Sequence, residues 1–172
     1  ANLFPGVLGR ICSRPCEARC RHGESELGQP VNICHIKRAA YDLKGKVPSH
    51  EERPLTSLDK KVAVVGAGPA GLAAGHDLST VGFRVTVFEA LEKAGGMLRY
   101  GIPEFRLPRN VLEEEIHQIL DSGVVLKTGV KIGHDLTVSD LLKENDAVLL
   151  AAGCYRSLRL DIPGEDLPLV YP

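Results

Sequence analysis

Val64-Val65-Gly66-Ala67-Gly68-Pro69-Ala70-Gly71-Leu72-Ala73-Ala74-Gly75 decides how this chain is read. A β-branched run (61–65) leads into it, and a small-residue segment that predicts a helix over 69–81 leads out. Gly66 permits a tight strand-to-helix turn. Gly68 lets backbone approach a pyrophosphate, and Gly71 lets the helix lie close to the strand. The helix N-terminus offers N–H donors and a positive dipole end to phosphate oxygens. A second strand is predicted over 84–88, and Glu89 at its end stands where a carboxylate accepts hydrogen bonds from ribose hydroxyls and repels a 2′-phosphate. The alternative is a glycine-rich turn that holds no ligand.

Outward from this motif, 91–108 is rich in Gly and Pro and reads as a loop. Residues 111–122 are amphipathic, with Leu112, Ile116, Ile119 and Leu120 on one side and Gly123 as a stop. Short strands are predicted over 124–127 and 130–132. Thr137 caps a helix ending near 144, and 147–151 is a further apolar strand. Strands alternating with helices predict an α/β fold with a parallel sheet. Residues 45–59 are polar with two prolines and read as a linker. Before it, 31–44 predicts a helix opened by Pro30, with Val31, Ile33, Ile36, Ala40 and Leu43 as its apolar face.

Composition narrows the function. The chain has 172 residues, enough for one domain plus an appendage. Its net charge of −1 excludes a strongly basic nucleic-acid binder. No apolar run approaches the ~18 residues that cross a bilayer. Glycine, at 18 residues, is abundant while aromatic residues are only 5%, which suits backbone packed against a bound group. Met97 is the only methionine and Ala1 opens the chain, so the sequence reads as a piece of a longer protein. Absence of a targeting signal predicts reduced thiols and a cytoplasmic location.

Cys12, Cys16 and Cys20 are spaced by four, although Pro15 argues for a break among them. Clustered thiolates suit a soft metal or an iron–sulfur cluster; buried structural cysteines are the plainer alternative. Cys34, on the predicted helix, is a candidate fourth ligand or a core residue. Cys154 reads as packing. With no cysteine pair after the glycine motif, a redox-active disulfide is excluded. Spacing alone does not separate FAD from NAD. The double glycine in Gly95-Gly96-Met97-Leu98-Arg99-Tyr100-Gly101-Ile102-Pro103-Glu104-Phe105-Arg106-Leu107-Pro108 resembles that of flavoproteins with two dinucleotide sites; from the residues alone it reads as a loop needing unusual backbone angles next to something flat or anionic.

Taken in order, Cys12-Ser13-Arg14-Pro15-Cys16-Glu17-Ala18-Arg19-Cys20, Gln29-Pro30-Val31-Asn32-Ile33, the glycine motif, the double-glycine segment and Ile162-Pro163-Gly164-Glu165-Asp166 resemble the small subunit of glutamate synthase. The same module occurs in the amino-terminal half of dihydropyrimidine dehydrogenase and in flavin subunits of electron-bifurcating ferredoxin:NADP oxidoreductases. The resemblance implies a helical iron–sulfur domain (1–45), a linker (46–59) and a partial Rossmann-like FAD-binding domain (60–172), stopping short of the NAD(P)H domain. It implies that Gly66, Ala67, Gly68, Pro69, Ala70 and Gly71 line the FAD pyrophosphate and that Glu89 takes the ribose. Gly95, Gly96, Met97 and Leu98 pass the flavin, and Arg106 binds the cofactor. Ile132 lies near the adenine, and Gly153 lies where the chain crosses close to FAD.

In the family the first two cysteines serve one 4Fe–4S cluster and the third serves another, with further ligands from an upstream stretch. A helical Glu or Gln ligand is replaced here by Lys37, and Cys34, one helical turn earlier on the same face, is the stand-in. The implied activity is relay of electrons between NAD(P)H and a partner subunit or iron–sulfur centres, with the cofactors doing the chemistry and no acid/base residue required. The competing reading is a binding module without redox activity, in which Cys12, Cys16, Cys20 and Cys34 hold Zn²⁺ and the glycine loop binds NAD.

Overall fold

β-branched residues at alternate positions build the centre of the fold. In the computed structural model, which describes residues 2–24, 28–45, 57–155 and 158–170, four parallel strands form one sheet: β1 (Lys61–Val65), β2 (Arg84–Phe88), β3 (Val125–Lys127) and β4 (Ala147–Leu150). Their order is β3-β2-β1-β4, with Val62 opposite Val85 and Ala63 opposite Val148. Because successive side chains alternate, Val62, Val64, Val85 and Val87 face one layer of helices. That layer is α5 (Pro69–Val81) and α7 (Arg109–Leu120). Leu72, Leu112, Ile116 and Ile119 close the core against it. On the opposite face, Ala63 and Phe88 pack with Leu141 of α8 (Val138–Glu144).

Local signals place the boundaries. Pro69 sits in the first turn of α5, and Gly82 ends it in the left-handed conformation at φ 111°. Gly75 lets α5 approach β2, since a Cβ there would lie 3.2 Å from Val87 Cγ2. Thr137 opens α8 with a reciprocal capping box: its side chain accepts from Asp140 N, and the Asp140 carboxylate accepts from Thr137 N. The expected strand over 130–132 is reduced to a bridge between Ile132 and Leu136. After β3 the chain turns at Gly129, and Val130 N donates to Glu89 O, which carries it over the strand ends and away from the sheet edge. One short helix, α6 (Met97–Tyr100), interrupts the 91–108 loop.

Among the described residues, four helices precede the sheet: α1 (Pro5–Ile11), α2 (Pro15–Ala18), α3 (Arg21–Glu24) and α4 (Ile33–Asp42). Pro15 starts α2 instead of merely breaking a helix, and Arg14 before it takes φ 62°. α1 and α4 cross where glycines remove bulk. A Cβ on Gly6 would meet the Tyr41 ring at 2.8 Å, and one on Gly9 would meet Arg38 Cα at 2.9 Å. This crossing overturns the expected apolar face of α4. Val31, Ile33, Ile36, Ala40 and Leu43 are exposed, while Cys34 and Tyr41 are buried. The groove left by Gly6 and Gly9 accepts a flat ring and a small thiol, and that shape outweighs the hydropathy stripe. Phe4 and Val7 reach the same buried cluster as Leu112 and Ile116. Most of the expected linker (46–56) lies outside the described residues. At its end, Leu58 N donates to Gly82 O and Asp59 pairs with Arg84. Among the described residues, no helix is long and apolar enough to cross a membrane.

Candidate dinucleotide site

The chain leaves β1 at Val65 and turns at Gly66, with φ 104° and its N–H bonded to Phe88 O at 2.7 Å. A Cβ on Gly66 would collide with Ala151 O, and one on Gly71 would collide with Gly66 O. Strand, turn and helix therefore sit closer than any side chain permits. Gly68 is the N-cap residue of α5, and Gly96 lies so near it that a Cβ on Gly96 would come within 2.7 Å of Gly68 Cα. Gly95 N donates to Ala67 O at 2.8 Å, tying the double-glycine loop to the turn.

Glu89 is buried at the end of β2. One of its oxygens accepts from Ala67 N at 2.7 Å, the other from Leu91 N at 2.9 Å. Each oxygen keeps a further lone-pair direction, so the carboxylate is oriented by backbone and can still accept from two hydroxyls. The loop beyond is clamped by arginines. Arg109 donates to Leu98 O and Ile102 O, and Arg99 donates to Ala94 O while pairing with Glu113 at 2.8 Å.

These elements enclose a mostly apolar cleft of about 470 Å³ at the carboxyl ends of the strands, where open α/β sheets bind ligands. Of the residues expected to bind cofactor, Gly66, Gly68, Pro69, Ala70, Glu89, Gly96, Met97, Ile132 and Gly153 line it. Ala67, Gly71 and Gly95 stand behind that wall and shape it. Leu98 instead packs into the core, because the turn of α6 points it inward. Arg106 is exposed and off the cleft wall; the neighbouring Arg109 makes the ordering contacts. Residues 151–153 and Tyr155 also line the cleft, and of these only Gly153 was expected. Their signal is the small run Ala151-Ala152-Gly153 directly after a strand. Gly153 has φ 71° and nothing within 4 Å of a Cβ position, so it opens onto free space. Lys131 brings the cleft's one cationic side chain among the described residues.

The cysteines sit on different elements. Cys12 follows α1, and its Sγ accepts from Arg14 N at 3.4 Å. Cys16 is exposed on α2. Cys20 lies between α2 and α3, where backbone hydrogen bonds, that at Val31 foremost, pull its thiol below the usual range. Cys34 is buried, with Sγ directed at Gly9 O (3.4 Å) and Leu8 O (3.7 Å). Among the described residues, no three His, Cys, Asp or Glu stand together as a metal site. Cys154, expected to pack, is exposed, because β4 ends at Leu150 and the chain then runs over the surface.

Residues 64–144 match the family model of the NAD(P)-binding Rossmann-like domain. The chain is 41% identical over 187 aligned residues to the NADP(+)-dependent formate dehydrogenase subunit beta of Moorella thermoacetica, covering 96% of this chain and 26% of that one. It is 40% identical over 173 residues to the glutamate synthase (NADPH) small chain of Mycobacterium tuberculosis, covering 99% and 35%. Among solved structures, Mycobacterium tuberculosis FprA in complex with NADPH superposes with a TM-score of 0.58 at 25% identity, over 69% of this chain and 27% of that one. The chain thus spans between 26% and 35% of the length of these two sequence relatives. Over nearly its whole length it is similar to glutamate synthase small chains and to oxidoreductase beta subunits.

Proposed function

We propose that this chain is the FAD-binding and iron–sulfur-bearing part of an NAD(P)H-dependent oxidoreductase, relaying electrons between NAD(P)H and a partner subunit or iron–sulfur centres in the cytoplasm. One observation carries the reading: the glycine cradle at the N-terminus of α5 shares a cleft with the backbone-oriented carboxylate of Glu89. The fit is specific. Gly68 and Gly96 leave the helix end bare for a pyrophosphate, Glu89 receives a ribose, and the open side of Gly153 leaves room for a flat ring. When bound, FAD supplies two-electron exchange with NAD(P)H and one-electron exchange with metal centres. The chain's own residues bind and orient. α5 directs its free N–H groups at phosphate oxygens, Glu89 selects an unphosphorylated ribose, and the apolar lining excludes water.

In this reading residues 1–45 are the iron–sulfur unit and 60–172 the flavin unit. Exposed Cys16 and the half-buried Cys12 and Cys20 supply thiolates, and further ligands come from outside residues 1–172. Cys34 is already turned toward the carbonyls of α1 and is the weakest ligand candidate of the four.

The test is an absorption spectrum of anaerobically purified protein, with iron, zinc and flavin assayed on the same sample. Flavin bands over a broad iron–sulfur shoulder are expected. A colourless protein holding only zinc would replace this reading with a zinc-stabilised NAD-binding module.

A further inference from the structure

α7 carries a glutamate inside its apolar face. Glu115 has 0% of its surface exposed and shares the inner side of the helix with Leu112, Ile116 and Ile119. A carboxyl group buried among such residues is costly unless its oxygens are hydrogen-bonded. Both are, and both partners lie more than a hundred residues away. Gly6 N donates to Oε1 at 2.5 Å and Val7 N to Oε2 at 3.0 Å. These are first-turn amides of α1, which no intrahelical carbonyl can satisfy. An apolar residue would fill the same space for the sheet and α5. The carboxylate serves the contact with α1.

From Glu115 two chains of contact run in opposite directions. On one side, α1 is fixed to α4 through Gly6 against the Tyr41 ring, Arg10 to Asp42 at 2.7 Å and Cys34 Sγ toward Gly9 O; Cys12 is the residue directly after α1. On the other side, the same helix α7 grips the cleft wall. Arg109 donates to Leu98 O and Ile102 O, and Glu113 pairs with buried Arg99, within the loop that presents Gly96 and Met97. α7 is therefore the beam between the cysteine-bearing helices and the dinucleotide cleft, and Glu115 is its polar joint to the former.

We propose that Glu115 is a positioning residue that fixes the cysteine-bearing helices relative to the cleft by holding the first turn of α1 on α7. This rests on the electron-relay reading above. Electron transfer falls steeply with separation, so a joint that loosens α1 slows transfer between the two centres while leaving the cleft intact.

The experiment compares the whole flavin- and iron-loaded protein with its E115Q and E115D variants. Three quantities are read: amide exchange at Gly6 and Val7, flavin content with the rate of flavin reduction by NADPH, and the rate at which reduced flavin reduces the iron–sulfur centres. E115Q keeps the shape but turns one acceptor into a donor. It is expected to speed exchange at α1 by about tenfold or more, from loss of a hydrogen bond to a charged group. Flavin content and flavin reduction should stay at wild-type values, while reduction of the centres slows severalfold. E115D, with both oxygens on a shorter stem, should fall between, and it keeps the test open should E115Q not fold. Unchanged α1 exchange overturns the proposal. So does faster α1 exchange with wild-type reduction of the centres. A wild-type protein without flavin and iron refutes the relay reading itself, and α1 exchange in E115Q then decides the joint separately.

Discussion

Gly68 and Gly71 are three residues apart in one motif, yet the geometry assigns them different jobs, and alanine at each separates binding from folding. At Gly71 the added methyl would land on Gly66 O, 3.0 Å from Gly66 C and 3.3 Å from Val64 Cγ1. Two of these three are backbone atoms and cannot rotate away, so α5 must move off β1. Overpacking of this kind costs about 1–3 kcal/mol. At Gly68 the backbone has φ −78°, ordinary for any L residue, and the nearest atom to a Cβ is Gly96 Cα at 3.9 Å. Loss of a tolerated N-cap glycine and the reduced freedom of the unfolded chain oppose each other, leaving a stability change within about 1 kcal/mol of zero.

Binding reverses the order. The Gly68 methyl occupies the space through which a pyrophosphate reaches the N–H groups of α5. Losing one charge-assisted hydrogen bond, at about 1.5–3 kcal/mol, weakens affinity roughly ten- to a hundredfold. The assay pairs urea unfolding of the ligand-free protein, compared at matched m-values, with FAD titration followed by flavin fluorescence. G71A should unfold at lower urea, and G68A near wild type with much weaker FAD binding. If G68A binds FAD like the wild type, or if G71A is as stable as G68A, the division of labour drawn from these distances is wrong.

Two further outcomes are expected. C34S should leave iron content unchanged, because Cys34 Sγ is buried against the carbonyls of α1, whereas C12S, C16S and C20S should each lower it; colorimetric iron assay of anaerobic preparations decides. Burial pushes the Glu115 carboxyl above its ordinary 4.5, partly offset by the amides of Val7 and Gly6 and by Lys44, while Glu114 beside it adds to the rise. With a raised folded value, the Glu115 contribution is fully present below the unfolded value and is lost as pH rises through the folded one. Tyr41 of α4 also lies within electrostatic reach of Glu115, and Arg10 of α1 stands over its ring. Urea midpoints measured across mildly acidic pH should fall less steeply with rising pH in E115Q than in the wild type, and an identical slope would contradict this.

What was legible in the residues, and what was not, divides along the range of the interactions. β1, α5 and β2 follow from local pattern, since the β-branched run, Pro69 and Gly82 each act within a turn of themselves. The same holds for α8 and its Thr137–Asp140 box. The glycines of the cradle were legible because a missing side chain in that context has few other uses. Contacts made at long range were not. The exposed stripe of α4 reads as a buried face until the glycines of α1 show which side has room. Arg106 and Arg109 differ by less than one turn, and only the fold of the loop decides which of them orders it. Tyr155 enters the cleft because β4 lies beside β1, a pairing across more than eighty residues.

Glu115 shows the limit most clearly. Leu112, Ile116 and Ile119 mark the inner face of α7 by their spacing, and a glutamate within that face reads as solvent-facing because charge normally points outward. Its partners are two backbone amides, which leave no mark in the sequence. A buried carboxylate with only backbone partners is thus invisible to pattern and plain in the structure. The same reasoning applies to Glu89: its position at the end of a strand was legible, but the two amides that orient it were not. In both cases the sequence pattern identifies the element, and backbone amides determine where its charge is held: two first-turn amides of distant α1 for Glu115, and one from the β1–α5 turn with one two residues on for Glu89.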